Sequence, residues 1–442
     1  MIRHRSWGAL LTLLAAASVA PAQSIALSEQ VAPGDCFRID ISLVVSGKMK
    51  VEREGKIEPI PLTAKASHSF LEQVEAVEAR GGVGAALRFY QTAGSESEIG
   101  VDRAKRELTT DRRLIVSRRM PDGTLHYSPN GPLTREELDL VAEHFDTLCI
   151  PALIPGKDVK VDETWAIAPD AAQHVCLFQG LIKNELVGKL TEVKDGVATF
   201  TIQGRAEGVE SGARVGLTVA AQGKYDVTTK RVVELIWEQL DDRDQGPASP
   251  ATTVKARVEI KRTPLREKPS ELGDAARAKV PAEGKIPELM LALRYTDPAG
   301  RYTFAHDRGW QVVGRTKDHL VLRLLDKSEF TAQATITNWR KADPGQHTSP
   351  AEFKEILAKL PGWQPDAPMI EGEVPSDSGR WIYRVAGKGK QDGQPVVQMF
   401  YLLAGPNGDQ VAVTIVTRPE KAEKLSPKDL TLVNSIELPA KK

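Results

Sequence analysis

The feature that most constrains the fold is a run of five strand-like segments between residues 185 and 262. Apolar and polar residues alternate along these segments, which is typical of strands with one face on a core. The turns between the segments are short, and Asp195-Gly196 has the composition of a type I′ hairpin turn. This pattern predicts an antiparallel meander. Its strands are predicted at 185–194, 197–204, 215–227, 231–240 and 254–262.

Strands and two helices are also predicted before the meander. Thr134 and Glu137 have the spacing of a capping box, so one helix is predicted over 134–145, and a second over 170–179. Because the meander has one apolar face, we expect these helices to cover it. The predicted fold class is α+β and β-rich, a curved antiparallel meander sheet covered by helices. The earlier strands are predicted at 36–51, 64–77, 85–90, 114–118 and 125–127.

The first 22 residues have the pattern of a secretory signal peptide. Arg3 and Arg5 precede an apolar stretch over 9–20, and Ala20-Pro21-Ala22 is an A-x-A cleavage site. We predict cleavage after Ala22 and an extracytoplasmic location, periplasmic or secreted. The apolar stretch is shorter than the ~20 residues needed to cross a bilayer, so no transmembrane segment is expected in the mature chain.

The composition changes between residues 263 and 288, where four prolines stand among alternating charges. This composition predicts a linker with little to bury in a core. It divides the chain into a β-sheet domain over 23–262 and a second α+β domain over 289–442. The second domain is predicted to contain one helix starting at Ser349 and a closing helix capped by Ser426.

The second domain resembles the PsbP-like family, whose founding member is an extrinsic subunit of photosystem II. The resemblance rests on an opening strand Tyr302-Thr303-Phe304, on Gly309-Trp310, on the helix over 353–360, on the strand over 398–402 and on a final Asn434-Ser435-Ile436. It implies an α/β/α sandwich that acts as a binding or assembly module. No metal or active-site motif of the family is matched, so no functional residue is carried over.

The first domain is similar, in topology alone, to envelope lipoprotein-carrier sheets. The residues concerned are Gly156-Lys157-Asp158-Val159-Lys160-Val161, which lead into Glu163-Thr164-Trp165, a helix and the long meander. This second resemblance implies a sheet that can hold an apolar ligand.

Three cysteines in an exported chain permit one disulfide bond. We predict the pair Cys149 and Cys176, since both lie near helix ends and closing a loop of that length stabilises by ~3 kcal/mol in the chain-entropy model. The alternative, in which both of these and Cys36 are buried unpaired thiols, has equal weight.

The sequence contains no recognisable catalytic or metal-binding constellation. His126, His144 and His174 belong to separate elements and have no metal-ligand spacing. The acidic run 241–244 lacks the glycine and glutamate positions of a calcium loop. No G-x-S-x-G elbow, P-loop or Cys-x-x-Cys occurs. We therefore predict no enzymatic activity, no cofactor and no metal site.

Charge gives little indication of a partner. Lys plus Arg and Asp plus Glu both number 59, which argues against nucleic-acid binding. The basic excess over 102–119 fits either anionic lipid headgroups or, with greater weight, a solvated strand face. Six tryptophans are predicted to pack in cores rather than to form a ligand platform: Trp165, Trp237, Trp310, Trp339, Trp363 and Trp381.

Three functions remain open from sequence. The first is a non-enzymatic, exported two-domain protein that works by binding or assembly in the cell envelope, with a protein or an apolar or anionic ligand as partner. The second makes the first domain a carrier of a lipid or other apolar molecule, held between the sheet and its two helices. The third is an exported hydrolase whose catalytic residues are dispersed. A continuous apolar cavity would favour the carrier, and a tightly filled interface would count against it.

Overall fold

The computed structural model describes residues 24–53, 55–78, 82–142, 145–247, 249–282, 285–326, 329–366, 368–376 and 379–439. The predicted signal peptide and its cleavage site after Ala22 lie outside these residues.

Within the described residues, fifteen strands and two α-helices precede residue 266. They are β1 Ser24–Leu27, β2 Cys36–Arg53, β3 Lys56–Val77, β4 Val83–Ile99, β5 Asp102–Glu107, β6 Leu114–Met120, β7 Gly123–Tyr127, α1 Arg135–Ala142, β8 Lys157–Lys160, β9 Thr164–Ala166, α2 Pro169–Val175, β10 Gly180–Asn184, β11 Val187–Lys194, β12 Val197–Glu210, β13 Ala213–Asp226, β14 Arg231–Arg243 and β15 Ala251–Leu265.

Thirteen of these strands form one antiparallel sheet, here named the first sheet. Its order is β7-β6-β4-β3-β2-β15-β14-β13-β12-β11-β9, with β5 beside β4 and β10 beside β12. Strands β11 to β15 are neighbours in chain order, which confirms the predicted meander. Asp195 and Gly196 have φ of 50° and 77°, the left-handed pair that a type I′ turn requires. The α+β, β-rich fold class is confirmed.

Side-chain alternation gives the first sheet an inner and an outer face. Along β13, Val215, Leu217 and Val219 are buried while their neighbours face outwards. The inner face packs against α1, α2 and the 3-10 helix Thr147–Leu153, and this core also contains Trp237, fully buried against Phe145. The predicted helical cover is therefore present on the apolar face.

The capping box predicted at the start of α1 is confirmed. The Glu137 amide donates to Thr134 Oγ1 over 3.1 Å, and the Thr134 amide donates to Glu137 Oε2 over 2.9 Å. These bonds satisfy amides that a helix start leaves without a partner.

Replacing Thr134 by alanine is expected to lower the free energy of unfolding by ~1 kcal/mol, the usual cost of losing an N-cap. Urea unfolding followed by circular dichroism measures it. Thr134→Ser retains the hydroxyl and should be close to wild type; an equal loss in both variants would contradict a capping role.

Part of the outer face of the first sheet, an apolar strip on β3, β4 and β6, contacts the segment that composition predicted to be a linker. Leu272 has no exposed surface and packs on Leu71, Leu87 and Val116. Leu272 is the one buried residue among the described residues of 263–288, so the segment buries little, but that residue lies on an apolar strip of the sheet. The domain boundaries themselves stay a prediction.

The remaining helices and strands of the described residues are α3 Asp274–Arg277, α4 Glu288–Leu291, β16 Leu293–Thr296, β17 Thr303–His306, β18 Trp310–Arg315, β19 His319–Asp326, β20 Glu329–Asn338, α5 Pro350–Leu357, β21 Trp363–Pro365, β22 Ile370–Glu373, β23 Trp381–Gln391, β24 Gln394–Ala404, β25 Gln410–Thr417, α6 Ala422–Leu425 and α7 Lys428–Ser435. Those from β16 onwards build a smaller unit. Its main sheet, the second antiparallel sheet, has the order β18-β19-β20-β25-β24-β23-β21 with β22 beside β23, and β16 pairs with β17.

Helices cover both faces of the second sheet, as the α/β/α prediction required. Phe353 of α5 packs on one face, and Val433 of α7 packs on the other. Ser349 caps α5 by accepting from the Glu352 amide, as predicted. The predicted cap Ser426 is wrong, because α7 begins at Lys428 and Ser426 follows the short helix α6.

The part of the chain that carries the first sheet contacts the smaller unit directly. Leu133 forms a β-bridge with Leu293, which is fully buried in the core of the first sheet. Arg308 donates to the His126 carbonyl over 2.6 Å and to the Leu291 carbonyl over 2.7 Å. The smaller unit therefore holds strand β7 of the first sheet directly.

Candidate functional site

A cavity of about 520 Å³ lies between the inner face of the first sheet and helices α1 and α2. Strands β2 to β5 form its floor, and β7, α1, α2 and the end of β12 form its roof. This volume is within the range of sites that hold a small molecule. The interface between sheet and helices is thus not tightly filled.

Small side chains on the floor explain why the cavity exists. Ala66 pairs with Ser95 across β3 and β4, and Ala64 pairs with Ser97. Directly opposed residues on one face are in contact, so two consecutive pairs of small residues leave space that larger residues would fill. The next position on the same face of β3 is His68.

Three apolar side chains form part of the roof, beside polar ones such as Asp139 and Glu210. Leu140 and Ala142 project from α1, and Leu177 follows the end of α2. Together with Leu43 on the floor, they give the cavity more apolar than polar surface. Such a lining favours a ligand with apolar surface.

Three histidines line the cavity: His68, His126 and His174 are 5%, 5% and 8% exposed. Burial lowers the pKa of His68 to about 4. Burial, with a smaller effect of the Arg88 cation, lowers the pKa of His126 to about 3, and burial also lowers the pKa of His174. All three imidazoles are therefore neutral at neutral pH.

A buried ion pair joins β3 and β4 outside the lining of the cavity. Arg88 Nε lies 2.9 Å from Glu72 Oε2, and both side chains are 1% exposed. Arg88 Nη2 also donates to Thr147 Oγ1 over 2.6 Å, which ties the pair to the 3-10 helix. The charges compensate each other, so neither residue is an unpaired charge directed at a ligand.

The predicted disulfide is not present in the structure, where Cys149 and Cys176 are free, buried thiols, as is Cys36. The Cys149 sulfur instead accepts from Arg119 Nη2 over 2.7 Å and lies 3.4 Å from Asp146 Oδ2. Burial raises the pKa of the Cys149 thiol, so it stays protonated and unreactive.

The structure brings two of the three histidines selected from sequence, His126 and His174, to one cavity, although they belong to separate elements. His144 lies outside the described residues. Asp241 is close to the end of β14, and burial raises its pKa to about 6. It does not line the cavity.

The basic segment over 102–119 is divided between solvent and interior. Arg103 and Lys105 are exposed and pair with Glu98 and Glu107 over 3.3 and 3.1 Å, which fits the solvated strand face. Arg119, by contrast, is buried beside Asp146. Of the six tryptophans, four are buried in cores as predicted: Trp165, Trp237, Trp310 and Trp363.

His68 and the small floor residues were missed by the sequence analysis. The alternation in β3 does place positions 64, 66 and 68 on one face. The spacing of Ala64, Ala66 and His68 is the one feature of the sequence that indicates this part of the floor. The serines of β4 that pair with the two alanines can be identified only from the strand register.

Within the described ranges, no helix is long and apolar enough to cross a membrane. Among the same residues, no group of three or more His, Cys, Asp or Glu side chains is arranged to hold a metal ion.

Comparison with known proteins finds no matching family model and no matching curated protein. Among solved structures, PsbP (CyanoP) from Synechocystis sp. PCC 6803 is 12% identical, with 36% of this chain and 98% of that chain covered and a TM-score of 0.27. A structure titled for lipid-protein interactions in lipovitellin is 9% identical, with 54% and 26% covered and a TM-score of 0.28.

A protein from Bacteroides thetaiotaomicron VPI-5482 is 8% identical, with 34% of this chain and 50% of that chain covered and a TM-score of 0.26. The chain thus spans about half of that protein and about a quarter of the lipovitellin chain. At these TM-scores the similarities carry no argument about function.

Proposed function

We propose that the protein binds an apolar or amphiphilic small molecule in the cavity between the first sheet and helices α1 and α2, and that it acts by binding rather than by catalysis. The observation that carries the proposal is the cavity itself, with its small-residue floor and a lining whose surface is more apolar than polar. The expected feature of a carrier was a continuous apolar cavity. The cavity has more apolar than polar surface and also charged lining residues, and of the three functions open from sequence it fits the carrier best.

An extracytoplasmic location belongs to the same proposal and rests on the signal-peptide pattern of residues 1–22. Apolar ligands need a carrier wherever they must cross an aqueous compartment, because exposure of their surface to water is unfavourable. The second sheet, which resembles the PsbP-like family in sequence, is proposed as the assembly module of the carrier.

One pair of side chains in the structure bears on the alternative that the protein is a hydrolase. Ser117 Oγ lies 2.9 Å from His126 Nδ1, the pairing of nucleophile and base that an acyl hydrolase uses. Ser117 has no exposed surface and does not line the cavity, so a bound ligand does not reach its hydroxyl. We therefore assign the pair a structural role. Ester turnover abolished by Ser117→Ala would overturn the non-catalytic part of the proposal.

Ligand binding can be tested by filling the cavity. The mature chain is expected to bind the uncharged fluorophore N-phenyl-1-naphthylamine, and Ala66→Trp is expected to weaken this binding at least about tenfold, because the indole takes up the space above the floor. Fluorescence titration measures the affinity.

Ser67→Trp is the matched control, because Ser67 is the next residue on β3 and is exposed on the outer face. It should bind the probe as wild type does. Equal binding by the Ala66 and Ser67 variants, or no binding by wild type, would overturn the proposed site.

A further inference from the structure

One hairpin of the first sheet projects beyond its neighbouring strands. Among the described strands, β15 pairs with β2 only up to Lys50, and β4 pairs with β3 only up to Leu62. Past these positions, β2 and β3 continue paired with each other as far as Arg53 and Lys56. Residues 55–59 are all exposed, whichever face of the sheet they lie on. The end of this hairpin is therefore surrounded by solvent.

Large apolar side chains are exposed at the ends of two adjacent hairpins. Ile57 is 71% exposed near the end of the β2–β3 hairpin, and Val101 is 94% exposed at the turn between β4 and β5. The Gly100 amide donates to the Pro61 carbonyl over 2.9 Å, which holds the second turn against the first hairpin. Turns are usually formed by Gly, Pro, Asn, Asp or Ser. Isoleucine and valine exposed side by side at such ends indicate a surface that contacts an apolar partner.

An apolar stripe on the inner face of the first sheet joins the cavity to these hairpin ends. The inner-face positions that follow the cavity floor are apolar or glycine, and they pair as Val45 with Ala64, Gly47 with Leu62, Met49 with Ile60, and Leu62 with Ile99. Val45 is buried, whereas Met49, Ile60 and Leu62 are only half-buried. The stripe thus becomes exposed as it leaves the cavity. A ligand with apolar surface that moves along it keeps apolar contact throughout.

The free edge of the β2–β3 hairpin is unsuited to the addition of a strand from another protein. The Pro61 carbonyl bonds on the β4 side, and Pro59 lies two positions further along the same edge. Proline has no N–H to donate to an added strand, so it blocks pairing at an edge. The charges over 48–58 are mixed, four basic and three acidic, which does not favour a strongly charged partner. A lipid bilayer needs neither feature, because it takes up apolar side chains at its surface.

We infer that the ends of the β2–β3 and β4–β5 hairpins dock on a lipid bilayer, with Ile57 and Val101 inserted among the lipids, and that the apolar stripe then connects the bilayer to the cavity. The inference rests on the proposed function and names the partner with which the carrier exchanges its ligand. Docking at these ends places the exposed part of the stripe against the bilayer, so the ligand passes between bilayer and cavity without crossing water.

The test is flotation of the mature chain with vesicles of phosphatidylcholine, which carry no net charge. Wild type is expected to float with the vesicles. Ile57→Asp combined with Val101→Asp should lower the partition coefficient at least about tenfold, because two apolar contacts are lost and two ionised groups resist insertion. Neither residue lines the cavity, so this variant should bind N-phenyl-1-naphthylamine, without vesicles, as wild type does. That binding also shows that the variant is folded.

Leu289→Asp combined with Ile370→Asp is the matched control, because these side chains are 61% and 81% exposed, lie outside both hairpins and give the same change in net charge. It should float as wild type does. No flotation of wild type, or an equal loss in both double variants, would overturn the inference, and retained binding of the fluorophore would leave the carrier proposal standing. Flotation that depends on Ile57 and Val101, without binding of the fluorophore, would support docking and overturn the carrier proposal.

Discussion

Replacing Arg88 by methionine is expected to lower the free energy of unfolding by about 3–5 kcal/mol, the cost of leaving one charge of a buried pair without its partner. Glu72 would remain 1% exposed with no cation at its Oε2. The variant also loses the hydrogen bond to Thr147, which ties the 3-10 helix Thr147–Leu153 to β4. Urea unfolding followed by tryptophan fluorescence measures the change.

The double variant Glu72→Met with Arg88→Met removes both charges and should recover most of the loss, because no unpaired charge remains buried. Arg103→Met is the surface control: its pair with Glu98 is largely exposed, and pairs of that kind contribute little. A loss in the surface variant as large as that of Arg88→Met, or no recovery in the double variant, would contradict this account.

Acidification is expected to destabilise the protein through its buried histidines. The pKa of His68 is about 4 in the folded protein and 6.5 as an ordinary histidine. Between these values the unfolded chain binds a proton at His68 and the folded chain does not, so stability falls as pH falls. The slope is about 1.4 kcal/mol per pH unit for each such histidine, and the total for His68 approaches about 3 kcal/mol. His126 acts in the same direction.

Asp241 opposes this trend, because burial raises its pKa to about 6 and the folded chain therefore binds a proton there more readily. The comparison of wild type with His68→Phe cancels that contribution. Unfolding free energies of both proteins from pH 7 to pH 4.5 should show a flatter dependence in the variant. Parallel curves would show that His68 is not a buried neutral group.

Much of the fold could be predicted because its determinants are local. The type I′ turn at Asp195-Gly196 follows from two residues that tolerate positive φ, and the start of α1 follows from two side chains three positions apart, Thr134 and Glu137. The meander could be predicted for the same reason, because apolar and polar residues alternate along β13 and its neighbouring strands. These features depend on sequence spacing alone.

What could not be predicted depends on contacts distant in sequence. Leu272 lies in the segment predicted to be a linker, yet it packs on Leu71, some two hundred positions earlier in the chain. The candidate site also depends on contacts between residues that are distant in sequence. Its floor requires the register that sets Ala66 against Ser95, and its histidines come from β3, β7 and α2. Spacing rules for catalytic or metal-binding motifs do not detect such a site.

The apolar strip that Leu272 covers on the outer face of the first sheet has a practical consequence for dividing the protein into fragments. Truncation after Arg262 would remove Leu272 and expose an apolar strip that includes Leu71 and Leu87. It would also remove Leu293, which belongs to the core on the opposite face. Such a fragment would be prone to aggregate even though the break follows the change in composition. The shortest fragment that keeps both apolar faces complete ends beyond residue 293.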